Sequence, residues 1–203
     1  MPAKQLEKQI DKALVDFERW LKRQPDWKNG NLSATKGTAR SGRGPSVLSE
    51  SDCAMQFARM LNKQGVAWRD IHINVTPSRW LVDAEVAGPR PKRIDLAVVD
   101  RDRLAKRKDP FNPRKQKDFL FDAIFDFTLA GNGWQRTLAG GKPARPPRRA
   151  AIAVDRSAAR MEKYLRDLWT RRGYIVVVEE ADHKLPKPPK PSGGLSIHHL
   201  KSF

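Results

Sequence analysis

Acidic side chains set inside apolar strands are the residues here with chemistry to offer, because strand interiors seldom hold ionised groups unless something binds them. The segment RIDLAVV (93–99) carries Asp95 among aliphatic residues, and DFLFDAIFDFTL (118–129) carries Asp122 and Asp126 among phenylalanines. Alternation puts Asp95 with Ala97 and Val99, away from Ile94, Leu96 and Val98. In the second segment it puts Leu120, Asp122, Ile124, Asp126 and Thr128 on one face, and Phe119, Phe121, Ala123, Phe125, Phe127 and Leu129 on the other. Asp122 and Asp126 then lie about 13 Å apart along the strand, so one of them at most can join a tight cluster with Asp95. Asp126 is favoured, since it stands nearer the break at Gly131-Asn132-Gly133, and Asp122 is the competitor. Carboxylates paired in this way suit metal-assisted phosphodiester chemistry. Mg²⁺ takes one or two protein carboxylates, a backbone carbonyl and several waters. It polarises the phosphate and lowers the pKa of a bound water, while a nearby lysine positions that water and stabilises developing charge. The rival reading is structural, with Asp95 paired to Arg93 and Asp122 or Asp126 paired to basic loop residues.

The elements that would position these groups are legible in the hydrophobic periodicity. Leu6, Ile10, Ala13, Leu14, Phe17, Trp20 and Leu21 recur at spacings of three and four, which predicts an amphipathic helix that ends at Pro25. Residues 26–46, rich in Gly, Ser, Asn and Thr, read as a flexible linker. A second helix is expected from Ser49, with Asp52 completing a near capping box, Met55, Phe57, Ala58, Met60 and Leu61 as its apolar face, and Gly65 as its stop. Strands follow at 66–75, 80–87, 93–99 and 118–129. A third helix spans 155–172, with Asp155 as N-cap, a stripe from Ala159 through Met161, Tyr164, Leu165 and Leu168 to Trp169, and Gly173 as its stop. YIVVV (174–178) is a buried strand, and the Pro/Lys-rich residues 182–203 form a tail of polyproline type. The last helix and strand imply a crossover onto a mixed sheet, hence an α/β or α+β class with one compact core over 47–181.

The 203 residues carry 40 Lys and Arg against 23 Asp and Glu, a formal charge of +17. That excess calls for a polyanionic partner, of which nucleic acid is the commonest. It peaks in 101–117 and 136–149, which read as loops flanking the strand with the paired aspartates. From these, Arg101, Arg103, Lys106, Arg107, Arg114, Lys115, Arg148 and Arg149 are the expected phosphate contacts. Residues 51–100 hold 7 basic and 6 acidic groups and are close to neutral, so the pattern is a basic rim around a carboxylate centre. No apolar run is long enough for a membrane span, and the start MPAKQLEKQIDKAL lacks the pattern of a secretory signal. With one cysteine, Cys53, there is no internal disulfide framework, and a cytoplasmic protein is expected. Cys53, on the apolar side of the second helix, is expected to be buried and inert. Trp68, Trp80 and Trp134 could stack on an unpaired base, with core packing the preferred reading and Trp134 the most exposed candidate. His72 reads as a partly buried histidine. The first helix must be covered, by the core, by a second copy of the chain or by another protein.

The order of elements and the placement of the carboxylates together resemble the PD-(D/E)XK, or restriction-endonuclease-like, nuclease superfamily. The likeness spans about two-thirds of the chain, over 48–178, with one extra strand. It implies an α/β core of helix, three strands, helix and strand, and a Mg²⁺ or Mn²⁺ site that cleaves phosphodiester bonds in DNA. By position, Glu50 in LSESD, Asp95 in RIDLAVVD and Asp126 in FDFTL would hold the metal. The third-strand triplet reads Asp126-Phe127-Thr128, with threonine where the superfamily has lysine. Some relatives supply that lysine from the neighbouring helix, which here points to Lys163, with Glu162 or Arg160 as weaker stand-ins. The alternative is a nuclease fold kept for binding nucleic acid or for assembly without catalysis. A more distant rival is an RNA-binding accessory protein whose basic loops order on RNA.

Overall fold

A computed structural model describes residues 3–23, 50–75, 94–106, 119–130, 147–167, 169–179 and 193–201. Four α-helices appear in these segments: α1 (Ala3–Lys22), α2 (Glu50–Lys63), the short α3 (Arg101–Ala105) and α4 (Pro147–Arg166). Five strands, β1 (Ile71–Val75), β2 (Ile94–Val98), β3 (Ala123–Ala130), β4 (Gly173–Glu179) and β5 (Leu195–Lys201), form one sheet in the order β1-β2-β3-β4-β5. The pairs β1–β2 and β2–β3 are antiparallel, and β3–β4 and β4–β5 are parallel. The class is therefore α/β with a mixed sheet.

Each face of the sheet is covered because its central strands carry apolar side chains on both sides. Leu6, Ile10, Ala13, Leu14, Phe17 and Leu21 of α1 and Cys53, Ala54, Phe57, Ala58 and Leu61 of α2 pack against Leu96, Val98, Phe125, Phe127, Val176 and Val178. Phe17, Phe57 and Phe127 meet edge to face with centroids 5.7 to 6.0 Å apart, a geometry that adds to simple burial. The α1 stripe predicted from periodicity thus docks on the core of its own chain. On the opposite face, Val154, Ala158 and Met161 of α4 cover Ala97, Ile124, Ile175 and Val177. This helix is the crossover that parallel pairing of β3 and β4 requires.

Several expectations need correcting. Strand β1 begins at Ile71 rather than Val66, since Trp68–Asp70 form a turn of 3₁₀ helix. Met55 is exposed and lies off the packed face of α2. Arg101–Ala105 is helical rather than loop, because the Asp100 carboxylate caps it by accepting from the Arg103 amide at 3.0 Å. Helix α4 starts at Pro147, a residue suited to the first helical position, so Asp155 is an exposed mid-helix residue and not its cap. It ends at Arg166, and Gly173 opens β4. The 195–201 part of the expected tail is a strand, with Leu195 and Leu200 buried. The alternation predicted for 118–129 holds from Ala123 onward but fails before it. Phe121 bridges to Thr170 and packs with Leu120 and Ile124 on the α4 side. The linker 26–46, the expected strand 80–87, the Ser49 cap, Leu168, Trp80 and Trp134 lie outside the described residues.

Candidate functional site

Antiparallel register brings the two favoured carboxylates together. The pairs Val98↔Ala123, Ala97↔Ile124 and Leu96↔Phe125 step along β2 and β3, and the next positions in that register are Asp95 and Asp126. There the ladder stops. The Phe127 amide donates instead to Asp95 Oδ2 at 2.8 Å. On the other side of β2, Ile73↔Leu96 and Val75↔Ile94 are paired, and the residue between them on β1 is Asn74, with φ of +54°. A left-handed backbone is uncommon for a residue with a Cβ, though asparagine tolerates it best. The β2–β3 ladder therefore stops at Asp95, while β1 keeps its register past that position around a left-handed Asn74. Strain of this kind collects at sites where geometry serves something other than stability.

The electrostatics mark the same place. Burial and the neighbouring Asp126 carboxylate push the Asp95 carboxyl up to about 7, Glu50 adds to the rise, and the Phe127 amide and Arg160 oppose it. Desolvation and like charge both disfavour the ionised form, and here they outweigh a direct hydrogen bond and a nearby guanidinium. Asp126 is buried and holds Arg160 Nη2 at 2.5 Å from Oδ2, with the two side chains 8% and 20% exposed. Glu50 opens α2 and is exposed, and its charge also bears on Cys53. Cys53 is fully buried, and burial first, then Asp52, Glu50 and Asp95, raise its thiol pKa, so it is an inert packing residue. Tyr164 of α4, half-buried and stacked on Trp169 at 4.9 Å, completes the wall near Arg160 and Asp126; burial raises its pKa.

The other expected residues separate into three groups. Asp122 is a structural ion-pair partner. It takes Arg103 Nη2 at 3.1 Å and the Asp100 amide at 2.8 Å on the same oxygen. Arg103, a predicted phosphate contact, is half-buried and also donates to the Phe119 carbonyl at 2.6 Å, so it braces the core. Lys163 is exposed, and the α4 cation that reaches Asp126 is Arg160, one helical turn earlier. Thr128, at the position where lysine was expected, is buried. Arg101 and Lys106 are exposed, with Arg101 Nη2 3.4 Å from His72 Nε2. Burial, then Arg101, lowers the pKa of His72. Arg148 and Arg149 fall in the first turn of α4, while Arg107, Arg114 and Lys115 lie outside the described residues. Trp68 is 51% exposed, which overturns the preference for core packing at that position.

Arg101–Lys106 follows the end of β2 remote from Asp95, and residues 107–117 and 136–146 of the expected basic rim lie outside the described residues. Sequence reasoning passed over Asn74, whose signal is an asparagine inside a strand. It also passed over the pair made by the buried Glu179 and His199, in which Oε1 and Nδ1 are 2.5 Å apart.

Among the described residues no three His, Cys, Asp or Glu side chains stand close enough together to share one ion. The donor set is Asp95 and Asp126 with Glu50 farther out. Two carboxylates fit Mg²⁺ or Mn²⁺, which keep waters and bind few protein ligands. They do not fit a closed structural zinc site. Comparison with protein-family models, curated proteins and solved structures finds no match for this chain. Among the described residues no helix is long and apolar enough to cross a membrane.

Proposed function

We propose that the chain is a metal-dependent endonuclease of restriction-endonuclease-like fold that cleaves phosphodiester bonds in DNA. The observation that carries this reading is the meeting of Asp95 and Asp126 where the β2–β3 ladder stops, with Asp95 pushed up to about 7 by burial and by Asp126. A carboxylate pair whose charge is under-compensated in the free protein is suited to a cation. The order of elements supports the fold: α2, the antiparallel β1–β2–β3, the α4 crossover, then β4 parallel to β3.

Asp95 and Asp126 would hold the metal, with Glu50 as an outer carboxylate that binds through water. Bound there, Mg²⁺ or Mn²⁺ supplies Lewis-acid polarisation of the phosphate and a more acidic water. The Phe127 amide fixes the rotamer of Asp95, so one carboxylate oxygen is aimed by the backbone. Arg160 supplies positive charge beside the reacting phosphate, in place of the lysine that Thr128 replaces. The charge excess of the chain draws the polyanion in from a distance and makes association salt-dependent.

Cleavage of plasmid or oligonucleotide DNA with Mg²⁺ or Mn²⁺, in wild type and Asp95→Ala, tests the reading. Activity that is lost with Asp95→Ala and with EDTA supports it; cleavage that survives Asp95→Ala places the chemistry elsewhere. A second reading, a nuclease fold that binds nucleic acid without cutting it, is favoured by Thr128 at the expected lysine position. It predicts DNA binding with a steep salt dependence and no metal-dependent cleavage by any variant.

A further inference from the structure

The geometry points to Arg160 as a built-in occupant of the metal position, which holds Asp126 until a divalent cation displaces it and then serves the phosphate. This rests on the nuclease reading and concerns how that site is loaded. Arg160 Nη2 and Asp126 Oδ2 are 2.5 Å apart, and both side chains are mostly buried. Asp126 is therefore neutralised by a group that holds an oxygen a metal would need. Asp95 is held on Oδ2 by the Phe127 amide, while the guanidinium pairs with Asp126, so it satisfies one carboxylate of the two.

The single charge of Arg160 leaves Asp126 as the double charge of the metal arrives; one of the two new charges replaces the guanidinium, the other is met by the Asp95 carboxylate, and no covalent bond changes. Displaced guanidinium stays on the same wall, because α4 is fixed to the sheet by Val154, Ala158 and Met161. A planar fork with five donors matches the oxygens of a phosphodiester. Breaking the ion pair costs free energy that metal binding must supply, so the site fills with reduced affinity in the protein alone. It fills more readily when a phosphodiester is present to receive Arg160. Cation and nucleic acid therefore bind cooperatively, through one side chain that answers to both.

The test is titration of the full chain with Mn²⁺ alone, followed by calorimetry or by electron paramagnetic resonance, in wild type, Arg160→Met, Arg160→Lys and Asp95→Asn. Arg160→Met is expected to bind Mn²⁺ about tenfold more tightly than wild type, the equivalent of one broken competing contact of about 1.4 kcal/mol. It should cleave DNA at least about tenfold more slowly at saturating metal. Should Arg160→Met fail to fold, Arg160→Lys carries the test, since a shorter cation without the fork holds Asp126 less firmly and should bind Mn²⁺ severalfold more tightly. Unchanged or weaker Mn²⁺ binding by these variants, with binding abolished in Asp95→Asn, overturns the proposal and leaves the metal site standing. Absence of Mn²⁺ binding in wild type and every variant overturns both.

Discussion

Asp122 and Asp126 lie on the same stretch of chain, four residues apart, both buried and both paired to an arginine. Their surroundings separate them. Asp122 receives a backbone amide from Asp100 besides Arg103, and Arg103 in turn finds the Phe119 carbonyl. Charge and hydrogen-bonding capacity cancel within that group, which ties β2, α3 and the start of β3 together. Asp126 has Arg160 but stands beside a second carboxylate, Asp95, whose proton is held up to about 7. One cluster is closed and the other has negative charge to spare. Buried charge is therefore a poor guide to function by itself, and the informative quantity is how completely it is compensated.

Exchange of the two aspartates breaks the comparison most severely. Asp126→Asn should lower metal-dependent cleavage by about a hundredfold or more, because Lewis-acid stabilisation amounts to several kcal/mol. Asp122→Asn should leave cleavage within a few-fold of wild type, yet destabilise the fold by about 2–3 kcal/mol in urea titrations, as expected for a mostly buried pair that loses one charge. Equal activity losses in the two variants would dissolve the distinction.

A pH-resolved stability measurement sharpens it. An ordinary aspartate ionises near 3.8, and in the folded chain Asp95 does so near 7. The folded state therefore holds a proton that the unfolded state has lost, and stability falls as pH rises from about 4 through 7. Asp95→Asn removes that penalty and can still accept from the Phe127 amide. With EDTA present, the variant should match wild type at pH 4 and exceed it by about 1–2 kcal/mol at pH 8, after allowance for solvent screening. No gain at pH 8 would mean that Asp95 is fully compensated after all.

The smallest effect belongs to the surface. Arg101→Ala should change stability by less than about 0.5 kcal/mol and flatten the slope of log K against log salt by about one, if Arg101 meets a phosphate. An unchanged slope would take that end of the sheet out of the interface.

Faces were legible in the sequence because side chains alternate strictly in a strand. Asp95 with Ala97, and Asp126 with Ile124, could be assigned from period two alone, and α1 from period 3.6. What the sequence left open depended on tertiary partners. Asp122 and Asp126 have the same local pattern, and the capped turn at Asp100 and the position of Arg160 decide between them. Lys163 and Arg160 lie on one helix a turn apart, and where α4 begins fixes which one faces the site. Strand β5 went unread because LSIHHLK follows a proline-rich stretch and has two histidines in its middle. Its pairing comes from β4, a neighbour distant from it in character.

The pairing of β5 has a kinetic side. Leu200 of that strand packs in the same cluster as Leu6, Ile10 and Phe17 of α1, so the first and last described elements close one core together. Contacts that span nearly the whole sequence demand a long loop closure before they repay it, and such folds form slowly. During synthesis, β4, buried along its entire length in the finished sheet, waits with one edge unpaired until residues 195–201 emerge. For that interval the nascent chain offers a hydrophobic strand edge to any neighbour, and yield of native protein should depend on how quickly that last strand arrives.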